Sequence, residues 1–151
     1  MASERDNFWM RRAIQLAETA ARQGEVPVGA LVVLNDQVIG EGFNQSITLP
    51  DPTAHAEVVA LRAAAQTVGN YRLLGARLYV TLEPCMMCAG AMVHARVQQL
   101  IYGATDPKAG AVSTKFSMFD LPFLNHRVAH EGGVLAEVCG SMLSQFFADR
   151  R

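Results

Sequence analysis

Apolar residues recur at helical spacing over residues 5–23, with Phe8, Trp9, Ile14 and Leu16 among the apolar positions and Gly24 placed to stop the element. Two strand-like runs follow. The runs VPVGALVVL (26–34) and QVIGEGFN (37–44) are rich in β-branched residues and are joined through Asn35-Asp36, which predicts a β-hairpin. A loop with two prolines (46–53) ends at Thr53, read as the N-cap of an alanine-rich helix over 54–68. A turn at 70–75 precedes a strand over 76–83, which Pro84 breaks, and a helix over 85–97 begins at two cysteines. A strand over 98–103 and a turn at 106–110 follow. Residues 111–126 have no clear period, 127–130 read as a short fifth strand, and 133–150 as a last helix interrupted by Gly140.

Strands alternating with helices predict an α/β sandwich of about five strands, antiparallel at the opening hairpin and parallel after it. Ligand sites in such sheets lie at strand-to-helix junctions, and the cysteine pair stands at one. The 151 residues suit a single domain over 1–151. No uninterrupted apolar run is long enough to span a membrane, and the charged N-terminal segment does not suit a secretory signal, so a cytoplasmic protein is expected. A net charge of −1 gives no basic footprint for nonspecific nucleic-acid binding. Three cysteines, an odd number in a chain large enough for a core, argue for reduced thiols over a disulfide framework.

The chemistry concentrates in LEPCMMCAGA, residues 82–91. A catalytic zinc takes three protein ligands and keeps one position for water. Cys85 and Cys88 supply two, one helical turn apart, and the third comes from His55, His94, His126, His130 or Cys139. His55 is singled out because it opens its own helix and Glu57 follows two residues later, spaced to reach a zinc-activated water without ligating the metal. Two helix N-termini around a metal favour thiolate over thiol. A redox dithiol would leave His55 and Glu57 idle. Cys139 reads as a core thiol, His94 as a packing or capping histidine, and Met86, Met87 and Met92 as helix-core methionines.

HAE at 55–57 followed by PCMMC at 84–88 is the H-x-E…P-C-x-x-C signature of zinc nucleobase deaminases. With EVPVGALVV, IGEGFN, DPTAHAE, NYRL, LYVTLEPCMMCAGAM, YGATDPKAGA and NHRV in order along the chain, the sequence resembles the bacterial tRNA adenosine deaminases of the TadA type. The resemblance implies a three-layer α/β/α cytidine deaminase-like fold with a mixed five-stranded sheet, one zinc ion per chain on His55, Cys85 and Cys88, and a homodimer. It implies hydrolysis of adenosine to inosine at the first anticodon position of a tRNA anticodon stem-loop, with Glu57 as catalytic acid and base. It also implies that Asn44 meets the purine edge and that Val26, Pro27, Asp106 and Phe146 lie near the bound loop. Two features depart from the family pattern: Gly110-Ala111-Val112-Ser113-Thr114 stands where G-A-x-G-S is frequent, and the chain ends at Arg150-Arg151 without a basic tail. The competing readings are a zinc deaminase of guanine, cytidine or deoxycytidylate, and a noncatalytic zinc-stapled RNA-binding module, for which Glu57 would have no use.

Overall fold

A computed structural model describes residues 3–151. Four helices and five strands follow in the order α1 (Glu4–Arg22), β1 (Gly29–Leu34), β2 (Gln37–Phe43), α2 (Ala56–Val68), β3 (Arg77–Leu82), α3 (Met86–Ala95), β4 (Gln99–Ala104), β5 (Ala129–Glu131) and α4 (Ala136–Ala148). The strands form one sheet in the order β2-β1-β3-β4-β5. The hairpin turn has both central residues at positive φ, Asn35 at 52° and Asp36 at 60°. That geometry matches the right-handed twist of the flanking strands, and a short polar side chain tolerates it without glycine.

The sheet is mixed in a particular way. β1 pairs antiparallel with both β2 and β3, whereas β3–β4 and β4–β5 are parallel. Parallel pairing therefore begins at β3–β4 and not directly after the hairpin. β1 alone runs against the rest, so the carboxyl ends of β2, β3 and β4 open on one edge, together with the amino end of β1.

Alternation divides the core into two layers, because successive strand side chains point to opposite faces. Ala30, Val32, Leu78, Val80, Leu100 and Tyr102 pack with Ala56, Ala60 and Ala64 of α2 and Cys88, Ala89 and Met92 of α3. On the other face Leu31, Val33, Tyr79 and Ile101 pack with Met10, Ala13 and Ile14 of α1 and Cys139 of α4. Phe8, expected on the apolar face of α1, is instead exposed, and Met10, Ala13, Ala17 and Ala20 make the buried stripe. Met86 and Met87 are exposed too, and only Met92 of the three methionines is in the core. Met86 and Met87 fall on the outer side of the first turn of α3, whose inner side buries Cys88 and Ala89.

Three boundaries differ from the sequence reading. Thr53 does not cap α2: its backbone N–H and its hydroxyl both donate to Asp51 Oδ1, closing a local turn, and the N-cap is His55. α3 ends at Arg96 in the left-handed region. α4 starts late, after Gly133 and Leu135 at positive φ, and passes through Gly140 without a break.

Helix α2 rests directly on β2 because the strand presents glycines to it. A Cβ on Gly42 would stand 2.5 Å from the Ala56 carbonyl oxygen and 2.7 Å from the Ala60 nitrogen. Gly42→Ala therefore pushes the first turn of α2, and His55 with it, off the sheet. The expected cost is about 1–3 kcal/mol of overpacking strain, read as a lower Tm in thermal unfolding.

Candidate active site

His55, Cys85 and Cys88 come together at the open sheet edge, with one ligand atom from each lying within 4.8 Å of the others. Cys85 Sγ is 3.6 Å and Cys88 Sγ 3.5 Å from His55 Nδ1. Zinc–sulfur and zinc–nitrogen arms meeting at a tetrahedral angle span roughly 3.6 Å, so the donor set and its spacing fit a zinc ion. His55 is the N-cap of α2, Cys85 the N-cap of α3, and Cys88 lies in the first turn of α3. Three chemistry-bearing side chains thus come from two helix starts, where unpaired backbone N–H groups favour anionic ligands. Cys139 is elsewhere, buried against Gly103 on the far face of the sheet, and burial pushes its thiol up to about 11. His94 is exposed, His126 bonds the Val97 carbonyl through Nε2, and His130 lies against Phe119.

The groups of the cluster shift one another's protonation through short contacts. The hydrogen bond from Cys88, followed by that to His55, pulls the Cys85 thiol down to about 4, while the same contact and burial hold Cys88 up. The Cys85 contact raises His55 against the effect of burial. Glu57 is 4% exposed, and burial pushes its carboxyl up to about 7. The salt bridges among the described residues join Arg5 to Asp6, Arg12 to Glu41 and Arg62 to Asp51, so no lysine or arginine pairs with this cluster.

Both helix starts spend their capping residue on the cluster, which leaves backbone donors to be satisfied from outside. Asn44, just past β2, does this for α2: its Oδ1 accepts the Ala56 N–H at 2.9 Å. The donor fixes the orientation of the amide, and the NH2 group is the polar end left over on a residue that lines the cavity.

A cavity of about 180 Å³ reaches the cluster, walled by Val26, Val28, Asn44, His55, Glu57, Leu82, Glu83, Cys85, Asp106 and Ala109. A second of about 540 Å³ shares Val26, Leu82, Asp106 and Ala109 and extends to Gly140, Leu143, Ser144 and Phe147 of α4. Val26 is thus on the wall where expected. Pro27 is buried outside it, and so is Phe146, which stacks under the Arg150 guanidinium at 3.5 Å; the exposed Phe147 lines the cavity in its place. Helical rotation between adjacent residues of α4 decides that exchange, and the sequence pattern does not resolve it.

Two buried carboxylates, Glu83 on the cavity wall and Glu25 next to the wall residue Val26, escape the sequence reading. Glu25 is 2% exposed and accepts from the Ile47 and Thr48 N–H groups and the Thr48 hydroxyl. Glu83 is 1% exposed and accepts from Asp106, Val112, Ser113 and Thr114. Burial raises each carboxyl, but these donors outweigh it and hold both below the usual carboxylate range. Their signal was an acid embedded in an apolar run, GEVPVG and VTLEPC.

A family model for MafB19-like deaminases matches residues 4–151. A tRNA-specific adenosine deaminase of Haemophilus influenzae is 52% identical over 150 residues, covering 99% of this chain and 87% of the relative. A solved structure from biochemical and structural studies of A-to-I editing by tRNA:A34 deaminases at the wobble position of transfer RNA superposes with a TM-score of 0.88. Its identity is 42%, over 90% of this chain and 99% of that one. The three-layer architecture is accordingly the cytidine deaminase-like fold. A guanine deaminase from Nitrosomonas europaea superposes with a TM-score of 0.79 at 20% identity, over 98% and 86% of the two chains, which shows the shared fold alone.

Asn44 can be divided experimentally into its two halves. Asn44→Ala removes the acceptor for Ala56 and should lower stability by about 1 kcal/mol, the usual cost of a lost N-cap. Asn44→Asp keeps an acceptor at the helix start and should stay within about 0.5 kcal/mol of the parent in denaturant unfolding, although its NH2 donor is gone.

Proposed function

The chain belongs to the MafB19-like deaminases and to the tRNA-specific adenosine deaminases, and on that premise we propose that it hydrolyses adenosine to inosine in tRNA, at the first anticodon position. The observation that carries this reading is a buried carboxylate with no lysine or arginine partner, Glu57, beside three ligand side chains at an open cavity. A noncatalytic zinc staple gives such a carboxylate nothing to do.

His55, Cys85 and Cys88 would hold one zinc ion per chain. Zinc held there lowers the pKa of water enough to supply hydroxide near neutral pH. Glu57 does the proton work. It accepts the proton released from water and passes one to purine N1 as oxygen bonds to C6; the exocyclic nitrogen then takes up a proton and leaves as ammonia. Water and adenosine in, inosine and ammonia out, balance with no other reactant. The leftover NH2 of Asn44 donates to the purine edge, and the N–H groups at the start of α3 face the oxygen as it gains charge. Val26, Leu82 and Phe147 give the cavity its apolar walls, and water is excluded where they meet the base.

Exposed apolar side chains lie beside Cys85: Met86 and Met87 on α3, and Phe116. A homodimer with RNA contacts from both copies would cover them. No helix among the described residues is long and apolar enough to cross a membrane, and a cytoplasmic location suits a tRNA substrate.

The test is inosine formation in anticodon stem-loops carrying adenosine at the first anticodon position, beside free cytidine and guanine. The stem-loop alone should react. Release of ammonia from guanine or cytidine and not from the stem-loop would overturn the tRNA reading. In the same assay Glu57→Gln should lose at least ~100-fold in rate and keep one zinc per chain by elemental analysis, whereas Cys85→Ala should lose the zinc. A zinc-free Glu57→Gln protein would make Glu57 a ligand.

Asp106 carries a second expectation. Its Oδ1 accepts from the Lys108 and Ala109 N–H groups at 2.9 and 3.2 Å, so it builds the turn, yet the residue lines both cavities and has a second carboxylate oxygen free of these bonds. That oxygen is placed to accept from a ribose 2′-hydroxyl, the group that distinguishes RNA from DNA. Asp106→Asn keeps the turn acceptor and should lower the ratio of RNA to DNA hairpin deamination with zinc content unchanged. An unchanged ratio would leave Asp106 a turn residue alone.

A further inference from the structure

We propose that Glu83 is a positioning residue for the substrate cavity, whose carboxylate clamps the 106–114 loop in the conformation that completes the cavity wall. The proposal rests on the nucleoside reading of that cavity given above. The loop has no helix or strand of its own, and much of it is exposed. Even so, it supplies Asp106 and Ala109 to the inner cavity and Asp106, Pro107, Lys108 and Ala109 to the adjoining one. Such a wall needs something to hold it.

Both ends of the loop converge on one side chain. Glu83 Oε1 accepts from the Asp106 N–H at 3.1 Å and from the Thr114 hydroxyl. Oε2 accepts from the N–H groups of Val112, Ser113 and Thr114 at 3.1, 2.8 and 3.0 Å. The loop passes over the carboxylate so closely at Gly110 that a Cβ there would collide with it. Two further ties run alongside, from the Ala111 N–H to the Pro84 carbonyl at 2.9 Å and between Ser113 Oγ and the Tyr102 hydroxyl at 2.8 Å. Ser113 is where this chain departs from the family's frequent glycine, so the departure adds a fastening without disturbing the clamp. Glu83 also leaves β3 two residues before Cys85, which registers the loop against the zinc ligands themselves.

A carboxylate is required because all five donors need an acceptor. In Glu83→Gln the amide oxygen can stay with the three N–H groups of Val112, Ser113 and Thr114, and the Thr114 hydroxyl can reverse its role. The Asp106 N–H cannot, and it then faces an NH2 group. The cavity end of the loop is released while the far end stays bound. Substrate then binds only the fraction of molecules with the wall in place, and apparent affinity falls by that fraction; at saturation every complex has the wall formed.

The experiment measures kcat, KM, zinc content and site-resolved hydrogen exchange for the parent and Glu83→Gln on the anticodon stem-loop. The expected result is a KM raised roughly 10-fold or more, the scale of one lost hydrogen bond to a charged acceptor, with kcat within about 3-fold. Zinc should remain at one per chain, and faster exchange should be confined to amides of 106–114. A fall in kcat at unchanged KM, loss of zinc, or unchanged KM and exchange would overturn the proposal. Should Glu83→Gln fail to fold, Thr114→Val, which removes a single donor, decides the matter: KM should rise about 2–3-fold, and an unchanged KM counts against the clamp. A parent protein that makes no inosine would sink the tRNA reading and not the clamp, which the exchange data still test.

Discussion

Everything at the open sheet edge depends on two helices beginning at the same point. α2 and α3 each start with a residue whose side chain is turned to the His55, Cys85 and Cys88 cluster and not back to its own backbone, since neither His55 nor Cys85 makes a side-chain cap. The unpaired N–H groups and the positive dipole ends left there favour thiolate and, beyond the metal, any oxygen that gains negative charge. Helix starts that would be defects in an apolar core become the polar floor of a cavity. The sheet sets this up by reversing β1, because β2, β3 and β4 then all end at that edge.

The loops around the floor are held by buried acids. Glu25 takes the N–H groups of Ile47 and Thr48 on one rim, and Glu83 takes those of Asp106 and 112–114 on the other. A carboxylate can accept several donors at once, and donors of this kind repay the cost of burying its charge. Irregular backbone is thereby given fixed positions close to the zinc ligands without a helix or strand, and the cavity keeps its shape while its lining stays free to vary.

Much of this was legible in the chain. The β-branched runs in 26–44, the Asn35-Asp36 turn, and the His55, Glu57, Cys85 and Cys88 spacing all carry local or short-range physics, and the folded protein gathers His55, Cys85 and Cys88 in one cluster with Glu57 on the adjoining cavity wall. What the pattern could not resolve was competition between neighbours. Thr53 has the chemistry of an N-cap, but Asp51 binds its hydroxyl first, so Asn44 caps α2 from another element. Phe146 and Phe147 are alike in sequence, and the packing of α4 alone decides which of them is buried. Glu25 and Glu83 stand out locally only as acids in apolar runs, and the donors that hold them lie more than twenty positions away in the chain.

The central claim is that two thiolates and one imidazole make an open zinc site, with the fourth position left to water. X-ray absorption at the zinc edge tests it directly in the resting protein. The account predicts two sulfur scatterers near 2.3 Å and two nitrogen or oxygen scatterers near 2.0–2.1 Å. A shell of three or four sulfurs, which would bring in Cys139 or a thiol from another chain, would contradict it.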